Sequence, residues 1–299
     1  MTCSNLSIFP WPAIPGEKEL PKWEDDRFII NGKKLGSLIC YDQTESNWSE
    51  HLTKLHEEAA GNGKHPIDIA SRKLALRSLS TLANHNEALI LEVGCSSGFL
   101  LHDLKDTFPH LSIIGSDYLA QPLHKLSQNL SSIPLLQFNL QTCPLPDNSV
   151  DGTVALNVLE HIENDQDALW HLYRILRPGG IAHIEVPAGP ELFDIYDEYL
   201  MHYRRYVLKE IISKAQSVGF KIQYTTHLGF SLYPVFWIVK KLNRNHLSKS
   251  KEQKRKIVSR QIRKTKNSFL MQLAIELEIK LGTKMKYPCG IRCVIVCSK

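Results

Sequence analysis

The residues of this 299-residue chain best suited to chemistry fall in a few short stretches. The first is Glu92-Val93-Gly94-Cys95-Ser96-Ser97-Gly98, an acid followed by a run of small residues. A Gly such as Gly94 can take positive φ and lets a ligand approach the main chain, and the free N–H groups at the start of a following helix point at whatever is bound. Asp117 lies 23 residues past Gly94, where a doubly wound fold can present a carboxylate to two ribose hydroxyls. A third stretch holds Asn157, Val158, Glu160 and His161. His is suited to taking a proton near neutral pH, so His161 is the candidate general base; the alternative is a helix-start residue satisfied by backbone. A fourth, His202-Tyr203-Arg204-Arg205, could grip an anionic acceptor, since Arg forms bidentate contacts with carboxylate or phosphate; pairing with nearby acids is the other reading. Of those acids, Asp194, Asp197 and Glu198 share a helix face expected to be solvated.

These groups need elements to hold them. Ile90, Leu91 and Val93 form an apolar run too short for a helix and suited to a buried parallel strand. It ends at Gly94, and Leu100, Leu101 and Leu104 then fit an amphipathic helix starting at Phe99. Further strands are expected over residues 111–116, 135–138, 150–156, 181–186, 221–226 and 291–298. Between the fourth and fifth, Leu169, Leu172, Ile175 and Leu176 mark a helix stopped by Pro178-Gly179-Gly180. Upstream, residues 1–26 read as an irregular arm, and Asn31-Gly32 between two apolar runs signals a hairpin. Helices follow around Trp48 to Ala59 and from Pro66 to about Ala83, the second with Ile69, Leu74, Leu76 and Leu79 as apolar members.

From Glu92 to Gly98 the chain resembles the first motif of the class I S-adenosylmethionine-dependent methyltransferases, with Ser96 replacing the middle Gly. Val158-Leu159-Glu160-His161-Ile162, followed by Leu176-Arg177-Pro178-Gly179-Gly180, is similar to the small-molecule branch of that family, which contains quinone and lipid-type enzymes. The resemblance implies a Rossmann-like α/β fold of seven strands with helices on both faces, the last strand antiparallel between the fifth and sixth. It also implies S-adenosylmethionine as cofactor, bound by Glu92, Gly94, Cys95, Ser96, Gly98, Asp117 and Tyr118, with Asn139 and Leu140 at the adenine and Asn157 and Val158 under the methionine end. The acceptor side would include Trp48, His202, Tyr203, Arg204 and Arg205, with Trp48, His51 and His56 in the helical lid; packing and solvated His is the other reading there. A nicotinamide-binding Rossmann domain would use an acid like Asp117 in the same way, but Gly-x-Gly-x-x-Gly is absent.

Expected organisation is an arm and hairpin over 1–45, a helical lid over 46–84, a methyltransferase core over 85–227 and 287–299, and a helical, basic insertion over 228–286. Residues 240–266 carry 12 Lys/Arg against one acid, on an otherwise mildly acidic body, which argues for a local basic feature and against nucleic acid as partner. Directly before this segment, residues 228–239 hold no charge and include Phe230, Tyr233, Phe236 and Trp237. That run is too short to span a bilayer, so either it packs as a lid or residues 228–266 touch a membrane surface. The resemblance implies a cytoplasmic enzyme, membrane-associated on the second reading, that methylates a small-molecule or lipid-like acceptor at oxygen; the alternative is a non-catalytic methyltransferase-like fold serving as a membrane-surface or partner-binding module, and the sequence leaves oligomeric state open. No metal site is expected. Cys289, Cys293 and Cys297, spaced every fourth residue along a strand, would lie about 13 Å apart in turn and could not converge on a cluster.

Overall fold

The computed structural model describes residues 5–42, 63, 65–85, 87–250, 252–254, 256–258, 269–281 and 286–299. Trp48, His51 and His56, and with them the first expected helix, lie outside the described residues.

All seven expected strands form. They are β5 (Leu89–Val93), β6 (Ser112–Asp117), β7 (Leu135–Gln137), β8 (Val150–Leu156), β9 (Leu176–Pro187), β10 (Lys221–Leu228) and β11 (Arg292–Ser298). With β4 (Leu38–Cys40) at one edge, the sheet order is β10-β11-β9-β8-β5-β6-β7-β4, and β11 runs antiparallel to both β9 and β10. The strands from β5 to β9 pair in parallel and are buried almost throughout, as both-face coverage by helices requires. Because β5 lies between β6 and β8, the chain order reverses beside it, and the crevice at the carboxyl ends of β5 and β8 is the place where such sheets bind ligands.

The covering helices are α1 (Pro66–Leu79), α2 (Phe99–Thr107), α3 (Ala120–Asn129), α4 (Asp165–Ile175), α5 (Ile195–Tyr199), α6 (Leu208–Ser217), α7 (Tyr233–Arg244) and α8 (Phe269–Leu281). Each of α2, α3 and α4 turns its Leu stripe onto the sheet: Leu100, Leu101 and Leu104; Leu123 and Leu126; Leu169 and Leu172.

Three details depart from the sequence reading. The sheet has an eighth strand, β4 (Leu38–Cys40), pairing in parallel with β7. The arm is less irregular than its Pro content suggests. β1 (Lys22–Glu24), β2 (Arg27–Ile30) and β3 (Lys33–Gly36) form an antiparallel meander, and Trp11, Trp23 and Phe28 stack edge to face beneath it in the core. Its β2–β3 hairpin turns at Asn31 and Gly32, both at positive φ, as that pair signals. Finally, Pro178-Gly179-Gly180 does not separate α4 from its strand. α4 ends at Ile175, β9 starts at Leu176, and the three residues make a bulge where the pairing skips from Val150–Leu176 to Gly152–Ile181.

Candidate active site

The loop after β5 is built around Asp117. Gly94 and Cys95 donate backbone N–H groups to Ser116 O (2.8 and 2.9 Å), and Ser96 N–H donates to Asp117 Oδ2 (2.9 Å). Leu119 N–H donates to Asp117 Oδ1 (2.9 Å). The carboxylate is thereby fixed at the end of β6, and each oxygen keeps a lone pair for a ligand. Burial raises its pKa, and the backbone donors act against that rise. Gly94 (φ 76°) and Gly98 (φ 75°) take the left-handed conformation, as does Ser96 (φ 44°). At Gly94 an added Cβ would lie 2.5 Å from Val158 Cγ2, so the bare backbone is what lets Val158 pack against the turn after β5. Glu92 is buried, and its Oε2 has no hydrogen-bond partner among the described residues. Desolvation and then Asp117 push its pKa well up. Cys95 contributes backbone only, for its thiol is packed in the core.

Around the next strand end, Tyr118 is half exposed and Leu140 buried. Asn139 Oδ1 accepts from Gln141 N–H (2.9 Å), capping a short 3₁₀ turn over Leu140–Thr142. One lone pair of that oxygen remains for an outside donor.

At the end of β8, Asn157 sits at positive φ (54°) and donates from Nδ2 to Glu185 Oε1 (3.3 Å). Glu185, on β9, also accepts from Ser71 Oγ (2.6 Å) and Arg292 (2.8 Å), while Arg292 pairs with Asp68 of α1. This network ties α1, β9 and β11 together beneath Asn157. Nothing in the sequence marked Glu185 or Arg292, because the strands carrying them are joined only by the sheet order.

One turn farther, a 3₁₀ segment over Leu159–His161 places Glu160 and His161 against His202. The two imidazole rings meet edge to face at 4.7 Å between centroids. Glu160 is fully buried, neither carboxylate oxygen finds a hydrogen-bond partner among the described residues, and burial pushes its pKa up to about 8. His202 Nδ1 is 2.9 Å from Asp197 Oδ1.

Asp194 and Asp197 are fully buried, which corrects the expectation of a solvated face. Lys240 of α7 binds Asp194 Oδ1 (2.6 Å) and Asp197 Oδ2 (2.9 Å), Arg205 Nε donates to Asp197 Oδ1 (2.8 Å), and Asn243 Nδ2 donates to Asp194 Oδ2 (2.8 Å). The His202 hydrogen bond and these cations hold the Asp197 carboxyl well below the usual range against its burial. Arg205 is therefore committed to Asp197 and Ala188 O. Arg204 is held by Asp165 (3.4 Å) and Glu163 O, and Tyr203 is exposed. Arg205 lies eight residues past Asp197, but Lys240 lies 43 residues past it, out of reach of a helical-face argument.

Residues 91–184 match the family model described as a methyltransferase domain. A protein of Mycolicibacterium smegmatis, provisionally named an S-adenosylmethionine-dependent methyltransferase, is 28% identical over 46% of this chain and 53% of its own length. An O-methyltransferase of Aspergillus nomiae is 29% identical over 44% of this chain and 64% of its own. The chain thus resembles the S-adenosylmethionine-dependent methyltransferases over residues 91–184. It spans between half and two thirds of the length of those two curated relatives. Among solved structures, a Galdieria sulphuraria protein provisionally named a sarcosine dimethylglycine methyltransferase aligns with TM-score 0.55 at 15% identity, covering 84% of this chain and 98% of its own. The [4+2]-cyclase SpnF aligns with TM-score 0.50 at 14% identity over 76% of this chain and 81% of its own. These two likenesses concern the fold alone. S-adenosylmethionine fits the residues present: a positive-φ Gly where no Cβ can be accommodated, a fixed carboxylate at the end of β6, and a buried Glu92 oxygen lacking a donor among the described residues.

Proposed function

We propose that this protein transfers a methyl group from S-adenosylmethionine to an oxygen of a small or lipid-like acceptor. The observation that carries the reading is the Gly94–Gly98 loop hydrogen-bonded to Asp117 at the point where the strand order reverses. In this reading Asp117 receives the two ribose hydroxyls, Asn139 and Leu140 bracket the adenine, and Glu92, Asn157 and Val158 surround the methionine end. The bound cofactor supplies an activated methyl on a sulfonium, so the chain's main task is to orient the acceptor in line and keep water out. An acceptor hydroxyl must also give up its proton, and Glu160, His161 and His202 are the groups gathered at the end of β8 to assist. Oxygen as the target is supported by the O-methyltransferase of Aspergillus nomiae and by a ubiquinone biosynthesis O-methyltransferase of Rickettsia conorii, 26% identical over 52% of this chain and 58% of its own length.

A lipid-like acceptor is supported by α7, which is inside out. Its buried residues are Lys240 and Asn243, whereas Val235, Ile238, Val239 and Leu242, one helical stripe, are exposed. Leu273, Leu277 and Leu281 of α8 are exposed as well. In sequence these exposed apolar residues of α7 are followed by the basic run up to residue 266, a combination that suits an anionic membrane surface. No helix among the described residues is long and apolar enough to cross a membrane.

The test supplies methyl-¹³C-labelled S-adenosylmethionine with small-molecule and lipid extracts and follows the label by NMR. An O-methyl resonance in a small-molecule or lipid fraction is expected. Label confined to protein or nucleic acid, or found only on nitrogen or carbon, overturns the reading.

A further inference from the structure

The ligand atoms of Glu160, His161 and His202 lie within 4.8 Å of one another, on two segments far apart in sequence. The three differ in how they are held. His161 is carried on the 3₁₀ turn after β8 with its backbone N–H on Val158 O (3.0 Å). His202 follows α5, and its Nδ1 is taken by Asp197 Oδ1 at 2.9 Å, which fixes the ring and turns Nε2 to the remaining side. Asp197 is itself locked by Arg205 and Lys240, so the ring's orientation is enforced from behind by three buried groups. Glu160 is the unusual member. It is 0% exposed, and neither carboxylate oxygen finds a donor among the described residues. A Glu kept for structure would be hydrogen-bonded, since an unpaired buried polar group costs stability. Two imidazoles, a desolvated carboxylate and a carboxylate behind one imidazole are the donor set of a metal site with its outer support.

We propose that Glu160, His161 and His202 hold a first-row divalent metal ion, with Asp197 as the positioning residue for His202, and that the ion's open positions take an oxygen of the methyl acceptor. Three protein ligands leave coordination positions free, as catalytic metal sites do. Imidazole with carboxylate suits zinc, iron(II), manganese or cobalt better than the softer copper(I), which thiolate selects. The site sits one turn past Asn157 and Val158, at the carboxyl end of β8. A hydroxyl bound to the ion has its pKa lowered, so its proton leaves to water and the negative charge stays on the oxygen beside the metal. This last role rests on the methyltransferase reading; the metal site itself does not.

The experiment treats the full chain with a chelator, dialyses it, and titrates it with cobalt(II), following visible absorption and bound metal per chain. One cobalt per chain with ligand-field bands is expected, with affinity falling at least tenfold in Glu160→Gln and in His202→Gln. Should either variant fail to fold by circular dichroism, X-ray absorption on the zinc-loaded wild type decides, where scattering from two imidazoles is expected. Wild type that takes up no metal, zinc without imidazole ligands, or folded variants that bind cobalt as tightly as wild type would each overturn the site. In the absence of metal uptake, Glu160 is simply a buried carboxylic acid. S-adenosylhomocysteine binding is measured on the same samples. Metal uptake without it supports the site and overturns its assignment to the acceptor, while its binding by a chain that takes no metal overturns this inference alone.

Discussion

Gly94 carries more of the account than any other uncharged residue. Its φ of 76° is one that side chains rarely adopt, and a Cβ there would meet Val158 Cγ2 at 2.5 Å. Gly94→Ala should therefore lower stability by about 1–2 kcal/mol, the cost of left-handed backbone for an L-residue, and weaken S-adenosylhomocysteine at least tenfold. Urea unfolding and calorimetry check the two effects; affinity unchanged from wild type would mean the crevice is not the cofactor site. The left-handed turn at this residue was legible in the sequence, because a Gly ending a short apolar run is a local pattern. Glu160 was not: a Glu beside a His says nothing of burial until α5 and the residues after it bring His202 alongside. The same holds for Arg205, whose reading as an acceptor contact gives way to its bond with Asp197.

Among elements, α7 is the one whose sequence and packing disagree most. Its apolar residues invited burial, yet the charges on Asp194 and Asp197 draw Lys240 inward and leave Val235, Ile238 and Leu242 outside. Two predictions follow from that inversion. Lys240→Met removes the cation between two fully buried carboxylates and should destabilise the fold by about 3–5 kcal/mol in chemical denaturation, since breaking a buried pair strands its partner. A loss below 1 kcal/mol would show that Arg205 and Asn243 suffice. On the outer face, replacing Val235, Ile238 and Leu242 by Ser should sharply reduce co-sedimentation with anionic vesicles. Wild-type binding should rise with anionic lipid and fall with salt, as exposed charge is screened over about 10 Å at 0.1 M. A wild type that stays in the supernatant at low salt, or that buries this face by dimerising, contradicts the membrane reading. α8 is anchored on one side, where Ile275 packs with Ile67, Leu228 and Val294 and Glu278 binds the N–H groups of Gly229, Phe230 and Ser231 at the turn before α7, while Leu273, Leu277 and Leu281 stay exposed.

For the molecule as a whole, the strands and their order were readable because each apolar run is bounded by Gly, Pro or Asp, and because the antiparallel last strand comes with the family resemblance. The eighth strand was not, since Leu38–Cys40 is three residues long and gains its partner only from β7. The whole fold also carries a pH dependence through His183, fully buried on β9. Its Nδ1 is 2.8 Å from Ser78 Oγ, and its Nε2 has no partner among the described residues. Burial pushes its pKa down to about 3 from 6.5. The unfolded chain therefore takes up a proton that the folded chain refuses, and stability present above pH 6.5 is lost as the pH falls towards 3. Its share of the slope is at most about 1.4 kcal/mol per pH unit. His183→Gln should flatten the fall in unfolding free energy between pH 6 and 4 by about that amount; parallel curves for variant and wild type would exclude His183 as the source.

The central claim is that the loop after β5 and Asp117 together bind the adenosine cofactor, and isothermal titration of the folded chain with S-adenosylhomocysteine tests it most directly. The account predicts one site per chain in the wild type. Asp117→Ala should lose about 1.5–3 kcal/mol of binding free energy, the worth of hydrogen bonds to a charged group. No heat of binding from folded wild type, or equal affinity in the folded variant, would contradict it.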